Sequence, residues 1–261
     1  MTFEDKIHII EAYQASSKRL ILLDYDGTLI GFYDKPQDAI PGDRIKNLLS
    51  KLAENPYNKV VIISGRDAKT LAKWFGHLNI DIAAEHGLKY KTSTNENWFN
   101  LSNSQPLWKD KVLELAKRYA NDVVGSFVEE KEHTIAWHYR TVEDTNIEEH
   151  KTNLSKELLW LNQEKEFDIL LGNKVLEVKS NNGNKGTFVS SLLLKEYFDF
   201  VLCIGDDVTD EDMFAILQEE HHYSIKVGLV PTCAKYNLLN INVVLSFLEQ
   251  LSILDTLPLS V

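Results

Sequence analysis

The chain has 261 residues, 44% hydrophobic and 26% charged, with a net charge of −11. That length can bury a core in one or two domains, and the composition excludes a disordered chain. The acidity excludes a general nucleic-acid or anionic-membrane surface, so an anionic substrate needs a locally positive site built from lysine, arginine or a metal ion.

Met1-Thr2-Phe3-Glu4-Asp5 lacks the basic-then-apolar order of a signal peptide, and no apolar run is long enough to cross a bilayer. Cys203 and Cys233 belong to no CxxC pair, which suggests neither a disulfide framework nor a zinc site. A reducing cytoplasm is therefore expected. Ile7, Ile10 and Tyr13 predict a helix over 3–15. Leu20–Asp24 reads as a buried strand, and Pro41–Asn55 as a helix with proline in its first turn, burying Ile45, Leu48, Leu49 and Leu52. A second apolar strand covers Lys59–Ser64, and Ser64-x-x-Asp67 can cap the helix that carries Leu71, Trp74 and Phe75. Asp81–Glu85 is a third strand. Unbroken apolar strands between helices indicate a parallel sheet covered on both faces.

The middle of the chain changes pattern. A helix over 107–119, strands over 123–129 and 133–139, a helix over 142–163 and strands over 167–171 and 175–178 suggest a small α+β layer. The opening pattern then returns, with a helix over 185–197, an apolar strand over 200–204, a capping box at Thr209–Asp212, a strand over 223–227 and a helix over 243–254. The expected architecture is an α/β core with a parallel sheet, over 1–104 and 180–261, split by an inserted cap over 105–179.

Asp24-Tyr25-Asp26-Gly27-Thr28 closes the first strand. Two carboxylates two residues apart, where the chain turns, leave in different directions, so one can attack while the other moves a proton; the Gly-Thr offers N–H groups to an anion. A calcium loop would need a Glu at its twelfth position, and Lys35 stands there. Ile63-Ser64-Gly65-Arg66, Lys185-Gly186 and Gly205-Asp206-Asp207-Val208-Thr209-Asp210-Glu211 fall at the same kind of place, a strand's C-terminal end or the start of the next helix, where open α/β sheets bind ligands. Several residues also admit plainer readings. Ser64 serves as a helix cap, Asp210, Glu211 and Asp212 as first-turn acids, His86 as a packed turn residue, and His221 and His222 as surface residues. Glu129, Lys131 and Arg140 make an ordinary cross-strand charge cluster. Asn182-Gly183-Asn184-Lys185-Gly186-Thr187 lacks the spacing of a Walker loop.

In this order the four motifs resemble the haloacid dehalogenase (HAD) superfamily. Ala84-Glu85-His86-Gly87, Val128-Glu129-Glu130-Lys131, Trp137-His138-Tyr139-Arg140, Leu176-Glu177-Val178-Lys179 and the Gly205–Met213 segment are similar to the trehalose-6-phosphate phosphatase family, across about residues 18–250. One departure is Lys179-Ser180, where that family often has Arg-Pro. The resemblance implies a HAD-like Rossmannoid fold and hydrolysis of trehalose 6-phosphate through an aspartyl-phosphate with Mg²⁺. Asp24 would be nucleophile and metal ligand, Asp26 general acid and base with its carbonyl on the metal, Ser64 a phosphoryl donor and Lys185 the charge neutraliser. Asp206 would bind the metal, and Asp207 would hold a metal-bound water or orient Lys185. Arg66, Gly87, Glu129, Lys131, Arg140 and Glu177 would read the sugar, with cap closure excluding water. A monomer is expected, with association with a trehalose-6-phosphate synthase as the conceivable protein partnership. Three alternatives stand beside this reading: a mannosyl-3-phosphoglycerate phosphatase, a phosphomannomutase-like enzyme, and a non-catalytic regulatory subunit of a synthase complex.

Overall fold

The computed structural model describes residues 1–101 and 107–254. Thr2 caps α1 (Phe3–Ala15): its hydroxyl accepts from Asp5 N while the Asp5 carboxylate accepts from Thr2 N. The helix buries Ile9 and Tyr13 and leaves Ile7 exposed, so the expected apolar face is rotated. β1 (Arg19–Leu23) is buried along its whole length. α2 (Asp43–Glu54) starts after Gly42, which leaves Pro41 outside the helix, and it buries the four expected side chains. β2 (Asn58–Ile63) leads to α3 (Ala68–Phe75), whose cap is Asp67, accepting from Thr70 N at 2.9 Å. Ser64 does not cap α3. β3 (Asp81–Ala84) is followed by β4 (Lys89–Lys91) and β5 (Phe99–Asn100), two strands too short to be read from the sequence.

The middle segment forms α4 (Lys109–Asp122), β6 (Phe127–Glu130), β7 (Thr134–His138), α5 (Ile147–Leu161), β8 (Phe167–Gly172) and β9 (Val175–Ser180). After it come α6 (Lys185–Lys195), β10 (Phe200–Gly205), α7 (Val208–Ile216), β11 (His222–Val227), β12 (Tyr236–Leu238) and α8 (Ile241–Leu254). The capping box of α7 lies two residues earlier than expected, between Asp207 and Asp210.

The chain divides into two compact units, Met1–Leu101 with Asn184–Val261, and Ser102–Gly183. The first expected boundary, 104/105, lies outside the described residues; the second falls at Gly183 rather than at 179/180. In the first unit the strand order is β12-β11-β10-β1-β2-β3-β4-β5, parallel from β12 to β3 and antiparallel at β4 and β5. Successive side chains leave a strand on opposite faces. Ile21, Leu23, Val60 and Ile62 therefore join one core with α1, α2, α3 and α8, while Leu20, Leu22, Val61 and Ile63 join another with α6 and α7. The register sets Leu23 beside Ile204 and Ile62. The residues that follow each strand thus gather at one edge.

The second unit is an antiparallel sheet, β6-β7-β9-β8. Ile135, Trp137, Leu176 and Val178 pack from one face against α4 and α5. Its other face carries Glu129, Ala136 and Glu177 in register.

Candidate active site

Asp24 follows β1 and Lys185 opens α6. The Lys185 ammonium donates to Asp24 Oδ1 at 2.6 Å and to Asp210 Oδ1 at 2.8 Å, and all three groups are buried. Asp24 Oδ2 is also buried but receives no hydrogen bond. Oxygens of Asp24, Asp206 and Asp210 lie within 4.8 Å of one another. Burial alone would lower the lysine, yet Asp210 and then Asp24 hold its pKa well above the ordinary value, so it stays an ammonium. Burial pushes Asp24 well above the carboxylate range; Lys185 opposes the shift and Asp210 and Asp206 add to it. Burial, and next Asp210, push Asp206 up to about 7. Three carboxylates around one ammonium leave the site short of positive charge, and one carboxylate oxygen lacks a partner. An all-oxygen donor set of this kind fits a hard divalent cation such as Mg²⁺. Asp210 is already engaged, because its Oδ2 accepts from Asp206 N at 2.8 Å and Asp207 N at 2.9 Å. The oxygens left for a cation belong to Asp24 and Asp206.

Two glycines make the crowding feasible. Gly27 has φ +84°, and a Cβ there would fall 2.0 Å from Asp206 Oδ2; a Cβ on Gly205 would fall 2.3 Å from Asp210 Cγ. Only a residue without a side chain fits either place.

Asp26 is held by Arg66, whose Nε and Nη2 donate to its two oxygens at 2.7 Å each. A further Arg66 N–H donates to Pro36 O at 2.6 Å, and the guanidinium lies 4.7 Å from the Trp74 ring centroid. Arg66 therefore grips the second aspartate, where sequence reasoning had it line the sugar cleft. Ser64 is buried, with its Oγ accepting from Arg66 N at 3.2 Å. Glu85 and His86 have φ of 48° and 60°; their N–H groups bond to Arg66 O and Ser64 O, which folds this turn against the serine. Gly87 is buried, and a Cβ on it would meet Phe188 at 2.5 Å, so packing accounts for the glycine.

Asp207 does not orient Lys185, one of the two roles expected of it. It is exposed, caps α7 by accepting from Val208 N, and lies outside the acidic trio. The orientation of Lys185 falls to Asp210, which sequence reasoning had treated as a first-turn acid. The helical spacing that places Asp210 at the third helical position under the strand end was the signal that could have found it. His222, expected at the surface, is buried.

In the second unit, Lys131 Nζ lies 3.0 Å from Glu177 and 3.9 Å from Glu129. His138, missed in the sequence, contacts the same Glu129 at 2.9 Å and stacks on Phe127 with centroids 4.7 Å apart. Burial would raise the Glu129 carboxyl, but His138 and Lys131 hold it below its usual range. Arg140 lies past the end of β7, in a turn, and donates to Asn173 O at 2.6 Å. The strand expected over 133–139 ends at His138, so Arg140, expected on that neighbouring strand, lies beyond it.

The sequence model of the family described as trehalose-phosphatase matches residues 22–241. The chain is 39% identical to a bifunctional trehalose-6-phosphate synthase/phosphatase of Thermoproteus tenax, over 92% of this chain and 32% of that protein. Among solved structures, the C-terminal domain of a C. albicans trehalose-6-phosphate phosphatase is 32% identical, with TM-score 0.88, covering 95% of this chain and 96% of that one. A haloacid dehalogenase-like hydrolase from Bacteroides thetaiotaomicron, 17% identical with TM-score 0.65 over 89% and 99% of the two chains, carries the fold alone. The chain spans about a quarter to a third of the length of the curated relatives it matches. Its fold is HAD-like, and the chain belongs to the trehalose-phosphatase family.

Proposed function

We propose that this chain hydrolyses trehalose 6-phosphate to trehalose and phosphate through an aspartyl-phosphate, with Mg²⁺ as cofactor. The observation that carries the reading is the Asp24 carboxylate, with one oxygen held by Lys185 and the other buried, unbonded and beside Asp206. Asp24 attacks phosphorus through one carboxylate oxygen, and the bond to the sugar oxygen breaks. Asp26 protonates that leaving oxygen, then takes a proton from the water that cleaves the acyl phosphate; general acid catalysis of this kind supplies about 10²–10⁴-fold. To do so, Asp26 must loosen one of its bonds to Arg66. Lys185 holds Asp24 in line and offsets charge on the phosphoryl group, and Ser64 donates to a phosphoryl oxygen. Asp24 and Asp206, with the Asp26 carbonyl, would hold the cation, which when bound neutralises charge on the phosphate dianion.

Glu129, Lys131 and Glu177 supply charged acceptors and a donor suited to sugar hydroxyls, and we assign them to the disaccharide. Association with a trehalose-6-phosphate synthase is proposed from a relative whose name joins the two activities. No helix among the described residues is long and apolar enough to cross a membrane. A cytoplasmic setting is our proposal, supported by two cysteines that are both free.

Phosphate release across a panel of sugar phosphates, with and without EDTA, tests the reading. Trehalose 6-phosphate should lead in kcat/KM, EDTA should abolish turnover, and Asp24→Asn should lower kcat on the order of a thousandfold or more. Full activity in EDTA would remove the cation from the mechanism. A mannosyl phosphate ahead in kcat/KM would replace the substrate, and absence of turnover on every compound would favour a regulatory subunit.

A further inference from the structure

Lys226 is a buried lysine that the chemistry above leaves unused. It sits between Ile225 and Val227 on β11, and the parallel register places it beside Gly205, the last residue of β10. Its ammonium donates to Asp207 O at 2.9 Å and to Glu211 Oε1 at 2.9 Å, and lies 6.0 Å from the Phe214 ring centroid. Glu211 in turn accepts from Thr232 Oγ1 at 2.8 Å and from Cys233 N at 2.7 Å. The turn that presents Asp206 is therefore gripped from two sides. Asp210 takes the N–H groups of Asp206 and Asp207, and Lys226 takes the Asp207 carbonyl. The Asp206 side chain itself receives one long bond, from Thr28 Oγ1 at 3.4 Å, so the direction of its carboxylate follows the path of the turn.

Stability is a poor reason for such a lysine. A buried ion pair is often no more stabilising than apolar residues of the same volume, because two charges must be taken out of water. Geometry is the better reason. We propose that Lys226 is a positioning residue for the cation site, setting the turn from which Asp206 reaches the metal ion. The assignment rests on the cation-dependent reaction proposed above.

Direct titration with Mn²⁺, followed by electron paramagnetic resonance of the free ion, tests it without reference to turnover. The wild-type protein should bind Mn²⁺, and Asp206→Asn should lose that binding. Lys226→Met should weaken it about tenfold to a hundredfold, the usual effect of removing a group that orients a ligand, while melting near the wild-type temperature without metal. Lys226→Arg, which keeps a donor for the carbonyl, should recover most of the affinity. Thr232→Val cuts the same network away from Asp207 and should bind as the wild type does. Equal affinity in wild type and K226M would overturn the assignment alone, as would equal losses in K226M and T232V. A wild-type protein that binds no Mn²⁺ would overturn the cation reading and this assignment with it. If K226M does not fold, Glu211→Gln takes its place: it removes one anchor of the ammonium, a loss of several-fold is expected, and unchanged affinity overturns the proposal.

Discussion

At the scale of single residues, the site is a charge arrangement whose members lie far apart in the chain. Asp24, Asp26, Ser64, Lys185 and Asp206 were legible because each follows an apolar strand or opens a helix. Arg66 was legible as a residue but not as a partner, since nothing local says that its guanidinium spans both oxygens of Asp26. Its replacement separates the two roles. Arg66→Met should lower kcat about tenfold to a hundredfold through loss of orientation, with little change in KM. A raised KM at unchanged kcat would return Arg66 to the sugar. His222 offers a test of burial. Burial, and then the charges of His221 and Lys235, depress its pKa from 6.5 to about 4, and its Nδ1 accepts from Glu219 N, which requires the unprotonated nitrogen. The unfolded chain binds this proton below pH 6.5 and the folded chain only near 4. The stability tied to the neutral ring is therefore whole above pH 6.5 and is lost as the pH falls towards 4. Urea denaturation across that window should show a shallower decline for His222→Gln than for the wild type.

At the scale of elements, strands were read more accurately than helix starts. β1, β2 and β10 are runs of buried apolar residues, and their position follows from burial alone. Helix starts depend on which of several neighbouring oxygens reaches an orphan N–H group, and composition cannot rank them. Ser64-x-x-Asp67 reads as a capping box led by Ser64 for α3, and Thr209 stands in for Asp207 at α7; the structure uses the aspartate as N-cap in both cases. Asp67→Ala should therefore destabilise the protein by about 1 kcal/mol in denaturant unfolding, the usual loss for an N-cap. Ser64→Ala should leave the α3 cap intact and act on turnover instead. β4, β5 and β12 were missed because each is two or three residues long, too short for a periodic signal.

At the scale of the whole molecule, the two units have separate cores, one on each face of the long sheet and one under α4 and α5. Leu154 is fully buried in the last of these. Leu154→Ala should cost about 2–5 kcal/mol in the second unit, seen as faster hydrogen exchange on β7 and β9, while amides of β1 and β10 keep their protection. Equal loss of protection in both units would show one cooperative core. The sequence by itself determined the alternation of strands and helices, the interruption by an α+β segment, and the strand ends that carry the acids, because hydrophobic periodicity and turn chemistry are local. Only the tertiary structure decided that Asp210 and not Asp207 holds Lys185, that Arg66 grips Asp26, that Arg140 reaches the Asn173 carbonyl, and that Lys226 reaches the Asp207 carbonyl. Each of these is a contact between side chains or turns brought together by sheet register, and register places residues tens to hundreds of positions apart within three ångströms without leaving a trace in local composition.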